Sequence, residues 1–164
     1  MKKILVALLL VLPLSVSAQK FGHFDYADVM QSMPEYKTAQ TELQTKAKTY
    51  EDELKRMQEE LQTKADDYDK NQATLIDEVK KRREQELQDL YQRLQEYSNK
   101  SQQELSQMEN EKMQEIQSKL LKAVEEVGQA GGYVYIMTAG SIPYISKTLS
   151  TDVTAQVKSK LGIK

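Results

Sequence analysis

The sequence predicts an α+β fold in which a long antiparallel helical hairpin with coiled-coil packing is inserted into a small β body. Three observations predict it. Residues 35–127 of the 164-residue chain contain neither Gly nor Pro, and they carry 16 basic and 22 acidic side chains. The period of the apolar residues changes partway along this stretch, and short aromatic segments of strand-like composition flank it. Because compact domains draw on Gly and Pro for their turns, most soluble enzyme folds of this size are disfavoured, and a disordered polar tract is the alternative to helix.

Residues 1–18 have the organisation of a secretory signal peptide. Lys2 and Lys3 supply the charged segment, residues 4–12 the apolar segment, and Val16-Ser17-Ala18 a cleavage site of small residues. We expect cleavage after Ala18 and export of the mature chain. An uncleaved membrane anchor is the alternative, although Pro13, Ser15 and Ser17 leave the apolar run short for a bilayer.

The chain contains no cysteine, which excludes disulfides, thiolate metal sites and a cysteine nucleophile. Without Lys2 and Lys3, 21 basic side chains face 25 acidic ones, giving a net charge of −4. Nucleic-acid binding would need a basic surface, so we expect no nucleic-acid partner.

The first elements lead into the charged stretch. Residues 20–24 predict a strand, and Asp25 is placed to cap a brief helical turn through Val29 and Met30. Ser32-Met33-Pro34-Glu35 fits a capping box with Ser32 as the N-cap. The apolar residues then recur at intervals of seven in two interleaved series, 43/50/57 and 47/54/61/68/75, which predicts a coiled coil.

The second half of the charged stretch has a different period. Its apolar residues include four that lie 11 positions apart, namely Leu94, Leu105, Ile116 and Val127. Eleven residues over three turns favour a straight or slightly right-handed helix. We therefore predict two helices with a reversal in residues 69–77, in a tip spanning residues 69–79. One unbroken helix of about 140 Å is the alternative.

The C-terminal segment returns to ordinary globular composition. Gly131-Gly132 predicts the end of the second helix, residues 133–137 and 144–146 predict strands, and a last helix is expected to start at Thr151 or Asp152. The predicted division is a body of residues 20–33 plus 128–164 and an arm of residues 34–127. A body of this size is marginal alone, so copies of itself are its expected source of further core. The residues expected to pack the body or the contact between copies are Phe21, Phe24, Val134, Ile136, Ile145, Val153, Val157 and Leu161.

No constellation in the sequence predicts catalysis. The single histidine, His23, has no second His or Cys with which to bind zinc, and the sequence has no Gly-rich phosphate loop, so we expect neither an enzyme nor a cofactor. The one basic cluster, Lys80-Lys81-Arg82-Arg83, is either a solvated face paired with nearby acidic residues or a contact for anionic groups. The tyrosines of the arm are either seam residues or a ligand surface.

Several segments resemble the Skp/OmpH-type periplasmic chaperones over nearly the whole mature chain. The most specific are the opening residues 20–26 with Val29-Met30 and Pro34-Glu35-Tyr36, the segment 132–136, and the closing residues 150–157. The Gln- and Tyr-rich arms and Ala18-Gln19 are most similar to the Bacteroidetes branch.

The resemblance implies a periplasmic homotrimer that joins through its bodies and encloses a cavity between helical arms. Such a holdase binds unfolded outer-membrane proteins without ATP and delivers them to the outer-membrane assembly machinery. The residues expected to contact clients are Tyr50, Met57, Tyr68, Leu75, Ile76, Tyr91 and Tyr97. The arm is acidic where the best-known member is strongly basic, so the 80–83 cluster is the one candidate for clients' acidic groups or lipid headgroups. A structural coiled-coil tether or spacer of the cell envelope is the alternative function.

Overall fold

The computed structural model describes residues 19–163. The predicted signal peptide and its cleavage after Ala18 fall on residues outside this range. The elements in chain order are strand β1 (Lys20–Phe24), helices α1 (Tyr26–Ser32) and α2 (Pro34–Asn71), a 3-10 turn (Gln72–Thr74), helix α3 (Asp77–Gly131), strand β2 (Tyr133–Thr138), a 3-10 turn (Ala139–Ser141), strand β3 (Ser150–Asp152) and helix α4 (Thr154–Lys160).

The described residues form two compact units. The first comprises residues 19–26 and 123–162, and the second comprises residues 27–122 together with residue 163. In sequence, the second unit is therefore interposed between the two parts of the first. No helix of the described chain is long and apolar enough to cross a membrane.

The first unit is built on a three-stranded parallel sheet of order β2-β1-β3. Gly22, in the middle of β1, is buried opposite Ile136, and a Cβ atom at this position would lie 3.0 Å from Ile136 Cγ1. An added Cβ atom would therefore press on the Ile136 and Tyr133 side chains of β2, which favours glycine here. Between Lys20 and Phe21 the pairing with β2 skips Val134, which forms a bulge.

The core of the first unit lies where α4 meets β1. Phe24, Val153 and Val157 are buried, and the backbone N–H of Val153 donates to the His23 carbonyl at 2.8 Å. The Asp152 carboxylate accepts the backbone N–H of Thr154 at 2.9 Å and its hydroxyl at 2.6 Å. These hydrogen bonds hold the pKa of Asp152 below its ordinary value and satisfy the first turn of α4.

Three local predictions are wrong. The last helix does not start at Thr151 or Asp152, because both residues lie in β3 and α4 begins at Thr154. Residues 144–146 do not form a strand: the Ser146 hydroxyl accepts the N–H groups of Thr148 and Leu149, and its carbonyl accepts that of Ser150, so the chain turns here. The third strand is instead Ser150–Asp152. Ser32 is not an N-cap, because it ends α1 and its hydroxyl donates to the Asp28 carbonyl at 2.6 Å. Met33 occupies the N-cap of α2 without a side-chain hydrogen bond.

The second unit contains the antiparallel hairpin of α2 with α3 up to residue 122, as predicted, and not a single rod. Its chain reverses between Asn71 and Asp77 without Gly or Pro. Side-chain hydrogen bonds stabilise the turn in their place. The Asn71 amide donates to the Asp67 carbonyl and carboxylate, and the Thr74 hydroxyl donates to the Asn71 carbonyl. The predicted stop after α3 is confirmed, because Gly132 follows it with φ of 66°.

Candidate functional site

The two long helices are joined across the hairpin by a series of polar contacts. The contacts follow the antiparallel direction of the helices: as the residue numbers on α2 increase, those of the partners on α3 decrease. The contacts are Glu35 with Lys119, Glu42 with Lys112, Tyr50 with Glu104, Lys64 with Glu86, and Tyr68 with Glu84. Hydrogen bonds from the lysines lower the pKa of Glu35 and Glu86, and the hydrogen bond to Glu42 raises the pKa of Lys112. Because the three ion pairs are partly exposed, they fix the alignment of the helices more than they stabilise them.

The apolar seam between the helices is thin. Between Pro34 and Lys119 few side chains are buried, and they are spaced far apart: Ala39, Tyr50, Leu90, Ser101 and Ile116. The other apolar residues that face the seam are half exposed, including Leu54, Met57 and Leu94. The hairpin therefore presents apolar surface along its length in place of a fully closed core.

Tyr50 is the one tyrosine of the predicted client set that the hairpin buries, with 8% of its surface exposed. Its ring packs edge-to-face on Tyr97 with centroids 5.9 Å apart, and Lys46 Nζ lies 4.9 Å from its centroid. Its hydroxyl donates to the Glu104 carboxylate, which raises the pKa of Tyr50. In the closed hairpin Tyr50 is a seam residue, and a client could reach its ring only if the helices separated.

The remaining members of the predicted client set lie along the outer half of the arm. Met57, Tyr68, Leu75 and Tyr97 are half buried. Tyr68 also donates its hydroxyl to Glu84 at 2.6 Å, which raises the pKa of Tyr68. Ile76 at the tip and Tyr91 on α3 are 69% and 53% exposed, so they are the members of this set most open to another chain.

The basic cluster at residues 80–83 divides into two pairs. Lys80 lies 3.9 Å from Asp77, and Arg83 lies 3.3 Å from Glu86. Lys81 and Arg82 are exposed and make no ion pair within the described chain. They line a shallow concavity in which the basic side chains are balanced by three carboxylates; its other lining residues are Glu78, Gln85, Glu86, Asp89 and Arg93. Lys80 and Arg83 are therefore paired within their own helix, whereas the contact of Lys81 and Arg82 with an anionic group stays a prediction.

The lower half of the hairpin contains a groove that the sequence pattern does not predict. It has a volume of about 810 Å³, and its walls include Leu43 and Ala47 on α2 and Leu105 on α3. The residue that could have indicated the groove is Ala47, because its side chain is a single methyl group at a seam position of the heptad pattern. A hole opposite a small seam residue can be predicted only when the facing helix and its alignment are known.

In the first unit, β2 forms an outer edge of the sheet. Val134, Tyr135 and Met137 are exposed, and Val134, the bulged residue, has 57% of its surface exposed. Of the other predicted body residues, Phe24, Val153 and Val157 are buried, and Phe21, Ile136, Ile145 and Leu161 are half buried. Phe21 packs on Tyr135 with ring centroids 4.8 Å apart. An unpaired strand edge with exposed apolar side chains is a surface that another strand can extend.

His23 is held by contacts within the sheet and does not belong to a catalytic or metal-binding group of the described residues. Its Nδ1 lies 2.8 Å from the Ser150 hydroxyl, and it pairs across the sheet with Asp152. The Asp152 carboxylate is engaged by Thr154, so these three residues do not form a Ser-His-Asp relay. No group of His, Asp or Glu side chains suited to a metal ion occurs among residues 19–163.

Two comparisons relate this architecture to known proteins, and a search of curated proteins gave no match. The crystal structure of a candidate outer membrane chaperone (OmpH-like) from Caulobacter crescentus CB15 shares the fold with a TM-score of 0.77. Its sequence identity is 17%, and the alignment covers 87% of this chain and 83% of that chain. The sequence model of the family described as outer membrane protein (OmpH-like) matches residues 20–161. That family is one of chaperones and not of enzymes, which supports a chaperone role in general. A match over this length shows that the chain belongs to the OmpH-like family.

Proposed function

We propose that this protein is an ATP-independent periplasmic holdase, which holds unfolded outer-membrane β-barrel proteins between helical arms and prevents their aggregation before membrane insertion. The observation that carries the proposal is the thin seam of a long, charged hairpin. A helix pair of 38 and 55 residues is built with few buried side chains, and its remaining apolar side chains are left partly open.

The chemistry of this surface suits weak and exchanging contacts. Met57 is half exposed on α2, and Ile76 and Tyr91 are largely exposed among charged neighbours. Methionine and tyrosine adapt to apolar partners of many shapes, and the charges keep the arm soluble. Many such contacts together retain an unfolded chain while each one releases it quickly.

The proposed assembly is a homotrimer joined through the bodies, residues 20–33 plus 128–164, with residues 34–127 forming the arms. The open edge of β2 supports this assembly, because Val134 and Met137 are exposed beside unpaired backbone groups. Self-association would add the core that a small body without disulfides lacks.

Further partners follow from the proposed location in the periplasm. The outer-membrane assembly machinery would receive the client from the arms. Lipid headgroups or acidic client segments would contact the 80–83 cluster through Lys81 and Arg82, which have no ion pair in the described chain.

The test is aggregation of a β-barrel protein diluted from urea, followed by light scattering with purified mature protein and without ATP. We expect suppression at a trimer-to-client ratio near unity, and native mass should show the trimer with and without client. An intact trimer that leaves client aggregation unchanged would refute the holdase function.

A structural tether or spacer of the envelope is the second candidate, and the antiparallel ion pairs along the hairpin favour it. A tether would melt at high temperature, bind one folded partner and ignore unfolded chains. Thermal melting together with the aggregation assay separates the two functions.

A further inference from the structure

The groove in the lower half of the hairpin lies where the seam opens between two closed layers. On one side Ala39 and Ile116 are buried, and on the other side Tyr50 and Ser101 are buried. No residue is buried in the intervening segments 40–49 and 102–115. The opening therefore lies between two closed layers, and its apolar lining residues, which we call its floor, are Leu43, Ala47 and Leu105.

The polar walls of the groove are amides. Gln40 and Gln44 on α2 and Gln102 on α3 line it, and none of the three side-chain amides makes a hydrogen bond within the described chain. Other glutamines of the arm, such as Gln62 and Gln107, are engaged by a carboxylate four residues further along their own helix. Each free amide offers both a donor and an acceptor at the groove.

The groove is also close to neutral within a strongly charged arm. Of its lining residues only Lys37 and Glu109 carry charge, and these two cancel. An anionic ligand would find no excess of positive charge there, and a lipid acyl chain could not use the amides. A helix of a second copy would also leave the amides unused, because its backbone groups are already paired internally.

We propose that this groove binds a short, extended and uncharged segment of unfolded polypeptide. The backbone N–H and C=O groups of the segment pair with the amides of Gln44 and Gln102, and an apolar side chain enters between Leu43 and Leu105. The inference rests on the proposed holdase function and adds the chemistry of one client site to it.

The size of the groove agrees with such a segment. Its α2 wall runs from Lys37 to Ala47, which spans about 15 Å at 1.5 Å per residue. An extended chain advances about 3.3 Å per residue, so the wall accommodates roughly four or five residues. Alternate side chains point to opposite faces of such a segment, so the apolar face of a β-barrel strand suits the floor while its polar face remains in water.

The binding test uses a fluorescent, uncharged peptide of about ten residues that alternates Val or Tyr with Thr or Asn, the length of one membrane-spanning strand. The groove variant carries Gln44→Glu and Gln102→Glu, which preserve side-chain shape, remove the donors and add charge. We expect this variant to bind the peptide about tenfold more weakly than the unchanged chain does.

The matched control carries Gln58→Glu and Gln92→Glu, two exposed arm residues outside the groove that add the same charge. We expect its peptide affinity to change by less than about twofold. Equal weakening in both variants, or weakening in neither, overturns the groove as the binding site. Because both variants place their new charges on exposed helix positions, helicity measured by circular dichroism should match that of the unchanged chain.

Photo-crosslinking gives an independent measurement, because the chain has no native cysteine. A single Ser106→Cys at the groove, labelled with a crosslinker, should capture the peptide, whereas Ser118→Cys on the exposed surface of the same helix should not. Crosslinks between two copies of the chain at Ser106→Cys would overturn the proposal, because a second copy would then occupy the groove. Failure of the unchanged protein to suppress client aggregation would refute the holdase function, whereas suppression without peptide binding at the groove would refute the groove alone.

Discussion

The hydroxyl of Tyr50 on α2 donates a hydrogen bond to the carboxylate of Glu104 on α3, in the middle of the hairpin. The Tyr50 ring is also the largest buried side chain of the arm between Ala39 and Leu90. Tyr50 therefore supplies both an apolar contact and a polar alignment contact to a seam that has few buried side chains. Its chemistry predicts how the arm responds to mutation.

Truncation of Tyr50 should loosen the middle of the arm. We expect Tyr50→Ala to lower the melting temperature of the arm by several degrees, because it removes both the edge-to-face contact with Tyr97 and the hydrogen bond to Glu104. Tyr50→Phe keeps the ring and should have a smaller effect. Circular dichroism measures the melting, and Tyr91→Ala, at an exposed position, serves as the control with little change expected. Equal effects of Tyr50→Ala and Tyr91→Ala would show that Tyr50 is not a seam residue.

The sheet should not tolerate a side chain at Gly22. A methyl group there would lie 3.0 Å from Ile136 Cγ1 and 3.3 Å from Tyr133 Cδ1, so we expect Gly22→Ala to destabilise the first unit by about 1–3 kcal/mol. Hydrogen exchange of the β1 amides measures the loss. Gly140→Ala is the matched control, because no atom lies within 4 Å of its added Cβ and its φ is not positive. Unchanged protection of β1 in Gly22→Ala would show that the strands can separate without cost.

The start of α4 should lose stability in acid. Hydrogen bonds from Thr154 lower the pKa of Asp152 in the folded state, so this carboxylate contributes stability above its unfolded pKa of about 3.9. That contribution is lost as the pH falls through the folded value. Asp152→Asn should therefore be less stable than the unchanged chain near neutral pH, and the difference should disappear in strong acid.

Denaturant titrations at a series of pH values measure this difference. Asp69→Asn is the control, because the Asp69 side chain is exposed and accepts no hydrogen bond within the described chain. A difference between Asp152→Asn and the unchanged chain that is constant across acid pH would contradict a role for the Asp152 charge.

The sequence predicted the elements whose signals are local, and it missed those that depend on a partner. The heptad pattern around Tyr50 and the Gly131-Gly132 stop predicted the two helices and the end of the second. Tyr144-Ile145 has better strand composition than Ser150-Thr151, but only the latter pairs with β1, so the third strand was misplaced. The groove follows from what lies opposite Ala47, so it cannot be predicted from one helix alone. The division of the basic cluster comes from pairs three residues apart within α3, Asp77 with Lys80 and Arg83 with Glu86, and the sequence offers several carboxylates near the cluster without indicating which of them are engaged.

The unpaired half of the basic cluster should carry its electrostatic effect. Changing Lys80, Lys81, Arg82 and Arg83 together to Gln should weaken binding of an unfolded client chiefly at low salt, because the Debye length falls from about 30 Å at 0.01 M to about 10 Å at 0.1 M. We expect Lys81→Gln with Arg82→Gln to reproduce most of this loss, because these side chains have no ion pair in the described chain.

Lys80→Gln with Arg83→Gln has the same change in charge and is the matched control, since Asp77 and Glu86 already partly neutralise these residues. Client affinity at several salt concentrations separates the pairs: equal losses would indicate that net charge alone matters, and no loss at low salt would leave the cluster as a solvated face.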